Sequence, residues 1–204
     1  MRERQREETR KKLYHAAIEV FCRDGVDACR IEDIALKAEV SRAAFYFHFP
    51  TKDDVLHELT QDSEVPIVEA LSQLGDDAPL SETFEVLVKG LSAFWQEGDR
   101  KKLLIDVFAT ALRRLRTLAE DREAEPMRAI VGTRFRLASE RGELSPMIPP
   151  EVVGDFFLLN CLAALASWGV SPVLPLDQVL NGVVMLFMNG AQGPTPISIP
   201  KVTP

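Results

Sequence analysis

Little in this chain could hold a metal or a disulfide. Only three of its 204 residues are cysteine. Cys22, Cys29 and Cys161 are odd in number and lack metal-ligand spacing, and His15, His48 and His57 add no regular donor set. The thiols read as reduced, and no metal and no cofactor is expected. There is no Gly-rich phosphate loop, no nucleophile elbow and no His-Glu-x-x-His pair, so an enzyme has little support. The first dozen residues hold no apolar run of the signal-peptide kind, and a cytoplasmic protein is expected. No segment keeps the alternation of a strand, and no internal repeat occurs. Residues 156–176 carry no charge, but Asn160, Gly169, Ser171, Pro172 and Pro175 interrupt them. A membrane span needs about 20 continuous apolar residues, so none is expected.

What the chain does have is helical rhythm and a divided charge. Its net charge is −7, which would oppose a polyanionic partner if it were spread evenly. Residues 1–57 hold eleven basic and eleven acidic side chains, so the whole acidic excess lies beyond them. Residues 1–12 alone carry Arg2, Arg4, Arg6, Arg10, Lys11 and Lys12 against Glu3, Glu7 and Glu8. Such a local basic patch serves phosphate contacts even on an acidic protein.

Next to that patch lies the most informative stretch, residues 31–49. Ile31, Ile34, Ala35 and Ala38 form one stripe of a short helix. Val40 is apolar at a turn, and Ser41 stands where a second helix needs its N-cap. Phe45 and Phe49, four apart, point back at the first helix. Two short helices, a tight turn and a mostly polar outer face predict a helix-turn-helix, whose second helix enters the major groove of DNA.

The rest predicts an all-α protein of about nine helices. A first helix covers about 7–23 and stops at Gly25. Residues 51–54 form a capping-box start for a long fourth helix, which Pro66 should bend or break. Leu80, Phe84, Leu87, Val88, Leu91, Phe94 and Trp95 keep a 3.6-residue period. Further helices are expected over about 101–118, 126–142, 151–168 and 176–191. The domains are then a DNA-binding head over 1–50, a ligand-binding and dimerisation body over 51–192, and a flexible tail over 193–204.

Over residues 7–60 the chain resembles the TetR family of transcriptional regulators. The likeness rests on Ala16-Ala17, Phe21 and Gly25, on Ile34-Ala35 and Val40-Ser41, and on the run from Phe45 through Tyr46, Phe47, His48, Phe49, Pro50 and Thr51 to Lys52. That run is most similar to the family's ethionamide-resistance type. Beyond residue 60 the likeness is one of helix count and length. The resemblance implies a two-fold dimer with a three-helix reading head and a helical body that binds a small ligand. Two positions depart from the family pattern: Glu39 stands where Gly is usual, and Arg30 where Thr is usual. A non-Gly residue at positive φ costs about 1 kcal/mol, and Arg30 loses a cap while adding a cation beside the groove.

Roles follow by position. Arg42 is expected to pair with guanine or a phosphate, and Ala43 and Ala44 to allow close approach and touch thymine methyls. Arg30 is expected at a phosphate or base edge, and Ser41 to cap the helix and reach a phosphate. The resemblance assigns Tyr46, His48 and Lys52 to the DNA backbone. In the body, Phe84, Leu87, Leu91, Phe94, Trp95, Phe108, Phe135 and Asn160 are expected to line a mostly apolar ligand pocket. The uncharged 156–176 segment and the helix after it should form the homodimer interface. The expected function is a ligand-released repressor on a pseudo-palindromic DNA operator. The alternatives are a helical small-molecule-binding protein without an operator, or an activator of the same fold.

Overall fold

A computed structural model describes residues 2–118, 125–144 and 147–191. Among the described residues the chain forms nine α-helices and no strand. The expected 193–204 tail lies outside them.

Helix α1 (Arg2–Asp24) starts earlier than its apolar rhythm. Exposed Arg4–Glu8 and Glu7–Lys11 pairs, each one turn apart, support the added turn. Gly25 ends it at φ +84°, donating its N–H to Phe21 O at 2.9 Å. Helices α2 (Ile31–Lys37) and α3 (Arg42–His48) follow. In the turn between them Glu39 sits at φ +57°, among the described residues the only non-Gly residue at positive φ. The strained turn persists because Val40 N donates to Ala35 O at 2.9 Å and because Ile34, Ala38, Phe45 and Phe49 are buried around it.

Helix α4 (Lys52–Ser72) opens with the expected capping box: the Thr51 side chain accepts from Asp54 N, and the Asp54 carboxylate accepts from Thr51 N. It does not break at Pro66. The proline removes one rung of hydrogen bonding, but Ile67 and Leu71 beyond it stay buried on the face already defined by Leu56, Leu59 and Ser63. Packing along one continuous face outweighs the missing rung.

Helix α5 (Leu80–Trp95) crosses α4 closely. A Cβ on Gly90 would stand 2.3 Å from Ile67 Cγ1, so only glycine permits this approach. The loop before α5 is tied by Arg134, which is 3% exposed and donates to Gly75 O at 2.8 Å and Ala78 O at 3.0 Å. A 3₁₀ turn (Arg100–Leu103) leads into α6 (Leu104–Leu118). Helix α7 (Pro126–Glu140) has its proline in the first turn and Gly142 at φ +80° after its end. Helices α8 (Pro150–Val170) and α9 (Leu176–Ala191) complete the body.

Rings of Phe84, Phe135, Phe157 and Phe187 meet at centroid distances of 4.8 to 6.1 Å and bring α5, α7, α8 and α9 together. By length and composition α8 is long and apolar enough to cross a membrane. Here it packs on α6, α7 and α9. Val153, Phe157, Cys161, Leu165 and Trp168 form its buried side. Phe156, Asn160, Ala163, Ser167 and Val170, alternating four and three apart, remain exposed.

Candidate DNA-reading head and ligand cavity

Ser41 builds the entry to the recognition helix α3, with its Oγ accepting from Ala44 N at 3.2 Å. With that hydroxyl facing inward along the helix, Arg42, Ala43, Tyr46 and Phe47 stand exposed on α3 and Ala44 half-buried. Arg42 is not idle in the free protein. It pairs with Glu32 of α2 at 2.7 Å and lies against the Tyr46 ring, 5.6 Å from its centroid. Arg30 is exposed at the N-cap of α2 and makes no cap bond, so the family's hydroxyl cap is lost there.

His48 is half-buried, and burial, followed by Arg10 and Arg6, lowers its pKa from the ordinary 6.5. It is therefore neutral near pH 7 and offers an N–H donor rather than a cation. Phe47 was not singled out from the sequence. It is 64% exposed, and the Arg6 guanidinium of α1 sits 5.0 Å from its ring centroid. A bare aromatic on a groove-facing helix is the signal that would have found it.

Lys52, expected at the DNA backbone, is turned to the loop before α2 in this structure. Its ammonium, which has three protons to give, donates to Val26 O at 2.7 Å and Cys29 O at 2.5 Å, with Asp27 O at 3.4 Å. It ties the loop that carries Arg30 to the start of α4. Those protons are engaged by loop carbonyls, and Lys52 holds that part of the head in place. Arg10 makes the second tie. Its guanidinium donates to His48 O at 2.7 Å, pairs with Glu58 of α4 and covers the Phe49 ring at 4.3 Å. The C-terminal end of the recognition helix is thus bound to α1 and α4 together.

Behind α4 lies a cavity of about 430 Å³ with walls from α4, α5, α6, α7 and α8. Leu91, Trp95, Val107, Met127, Leu162 and Leu165 make it mostly apolar. Its polar lining includes Glu64 from α4, Arg114 from α6, and Arg128 and Asp155, which pair at 2.9 Å. Glu64 has no hydrogen bond or ion pair among the described residues. Burial first, and the neighbouring Glu125 second, push its pKa from 4.5 to about 7. Burial, with Arg114 next, lowers that of His57 in the same wall.

Of the eight expected pocket residues, only Leu91 and Trp95 line this cavity. Phe84, Leu87 and Phe135 lie in the solid core instead, since phenylalanine rings from four helices close on one another there. Phe94 is half-buried on the far side of α5 under Arg100, and Phe108 is half-buried outside the lining. Asn160 is exposed and donates to Phe156 O of its own helix, so it orients nothing inside.

A capped second helix stacked on a short partner, ahead of a cavity-bearing helical body, defines a helix-turn-helix head on an all-helical body. Residues 13–59 match the family model of bacterial regulatory proteins, tetR family. Over that stretch the chain is similar to the TetR family of bacterial transcriptional regulators. It is 32% identical over 105 residues to the HTH-type transcriptional regulator AcrR of Shigella flexneri, a match covering 50% of this chain and 48% of that protein. The matched stretch thus spans about half the length of that relative. To the HTH-type transcriptional repressor BepR of Brucella suis biovar 1 it is 28% identical over 170 residues, 79% of this chain and 80% of the repressor. Its fold is that of Thermus thermophilus FadR, with TM-score 0.65 and 24% identity over 92% of this chain and 98% of that one. It is also that of Pseudomonas aeruginosa NalD, with TM-score 0.64 and 20% identity over 91% and 97%. AcrR, BepR and Thermus thermophilus FadR are regulators or repressors of transcription.

Proposed function

We propose that the chain is a repressor which binds a pseudo-palindromic operator as a homodimer and is released by a mostly apolar small molecule. The observation that carries this reading is the position of α4. One end of it is capped directly beyond the recognition helix, and its inner face walls the cavity. A cavity of this volume is of the size that holds a small organic ligand. Glu64, without a partner in an apolar wall, favours an occupant that presents an N–H or O–H donor. Thermus thermophilus FadR was solved with lauroyl-CoA, and an acyl chain is a first occupant to try. The uncharged exposed side of α8, continued by Met185 and Leu186 of α9, supports the homodimer. Pairing of these two helices with their copies sets two recognition helices about one helical turn of DNA, ~34 Å, or a multiple apart.

The test is selection of bound duplexes from a random pool, with wild type and Arg42→Ala in parallel. Wild type should recover an inverted repeat. Arg42→Ala should bind it more weakly by roughly 1–3 kcal/mol if Arg42 leaves Glu32 for a base. Recovery of no enriched sequence by the wild type would sink the operator reading.

A further inference from the structure

Arg114 stands between the cavity and the head. It is one of the cavity's lining residues, and its Nη2 donates to Asp54 Oδ1 at 2.9 Å. Asp54 is the residue that closes the cap of α4. Its Oδ2 accepts from the backbone N–H of Thr51 at 2.9 Å and from the Thr51 hydroxyl at 2.7 Å. Thr51 lies two residues after Phe49, the C-cap of the recognition helix. One ion pair and one capping box therefore join the cavity wall to the seat of α3.

The neighbouring pair provides an internal comparison. Arg113 reaches Asp53 at 2.8 Å and clamps the same two helices, but it does not line the cavity. The Arg114 and Asp54 side chains are 34% and 33% exposed, so solvent partly screens their attraction. A contact of that strength holds α6 on α4 and still yields to a competing acceptor.

We infer that Arg114 is the coupling residue of this regulator. An occupant presenting an acceptor oxygen to Arg114 draws the guanidinium off Asp54 and frees the first turn of α4 from α6. A ligand shifts an equilibrium only through unequal affinity for its two states. Here the inequality is the choice of Arg114 between Asp54 and the occupant. The inference rests on the ligand-released, DNA-binding reading above.

The experiment uses 1-anilinonaphthalene-8-sulfonate, an apolar fluorescent anion with acceptor oxygens, as the probe. Its affinity for the full chain is measured with and without the duplex recovered by selection. In wild type, bound duplex should weaken the probe by about tenfold, a typical coupling. Arg114→Met keeps the stem and removes the guanidinium, while Asp54→Asn keeps an oxygen for the Thr51 cap and removes the charge. Each should reduce the ratio to about twofold or less, Arg114→Lys should recover part of it, and Arg113→Met should retain all of it. Circular dichroism checks that each variant is folded, and Asp54→Asn carries the test if Arg114→Met is not. A full ratio in both Arg114→Met and Asp54→Asn, or an equal loss in Arg113→Met, overturns the inference. A wild type with no ratio overturns the ligand-release reading and this inference with it, which separates the two failures.

Discussion

Single side chains in this protein do work that their type does not announce. Lys52 has the composition of a phosphate contact and the geometry of a loop tie. Lys52→Met should lower stability by roughly 1–3 kcal/mol, because loop carbonyls lose their donor. The log–log salt slope for DNA should stay within about half a unit of wild type, where loss of a phosphate contact would remove about one. Glu64 gives a pH dependence whose sign is opposite to that of an ordinary salt-bridged acid. Its pKa is raised from 4.5 to about 7. Below 4.5 the carboxyl is protonated in the folded and the unfolded chain, and its burial carries no ionisation penalty. Between 4.5 and about 7 the unfolded chain gives up a proton that the folded chain keeps, so stability falls as pH rises, and above that the loss is constant. Glu64→Gln lacks this titration. Its stability relative to wild type should rise by up to ~3 kcal/mol between about pH 4 and pH 8. Urea unfolding of both proteins across that range is the check, and a pH-independent difference would place the charge elsewhere.

At the level of elements, close approach between helices is set at a few small residues. Gly90 lets α5 lie against Ile67 of α4 at a distance that no Cβ tolerates. Gly90→Ala should therefore destabilise the body by about 1–3 kcal/mol, as overpacking does. Trimming the neighbour should cost less in that background, so Ile67→Ala is expected to be less harmful with Gly90→Ala than alone. Denaturant titration of the two single variants and the double variant measures the difference; simple additivity would mean that the two side chains do not meet. The same crossing matters for function, because α4 carries both the head's anchors at Asp54 and Glu58 and the cavity wall at His57 and Glu64.

For the whole molecule the open question is what covers the exposed side of α8. Ala163 is exposed in the single chain, and no charged residue occurs from 156 to 176. Ala163→Glu should leave the protomer folded, since it enters no core. In a dimer formed by α8 and α9 it would bury an unpaired carboxylate, which costs several kcal/mol. Sedimentation should then show a monomer with unchanged helix content. A stable dimer of Ala163→Glu would place the interface on another face.

The sequence by itself determined the helix count, the helix-turn-helix and its caps at Ser41 and Thr51, because those depend on residues three or four apart along one chain. The family resemblance pointed to Glu39, where Gly is usual, and the structure places it at positive φ. Local signals misled where a long-range partner decides. Pro66 reads as a bend or a break, and the buried face on both sides of it keeps α4 one helix. Lys52 and Arg42 read alike as free cations. Folding alone brings the carbonyls of Val26 and Cys29 to the one and the Glu32 carboxylate to the other. The aromatic rhythm of α5 identifies a buried face but not whether that face meets rings or a void. Four phenylalanines close on one another in the core, while the cavity lies beside Trp95 and Glu64. Which apolar residues enclose empty volume depends on how five helices fail to fill the space between them. No periodicity in a single segment carries that information.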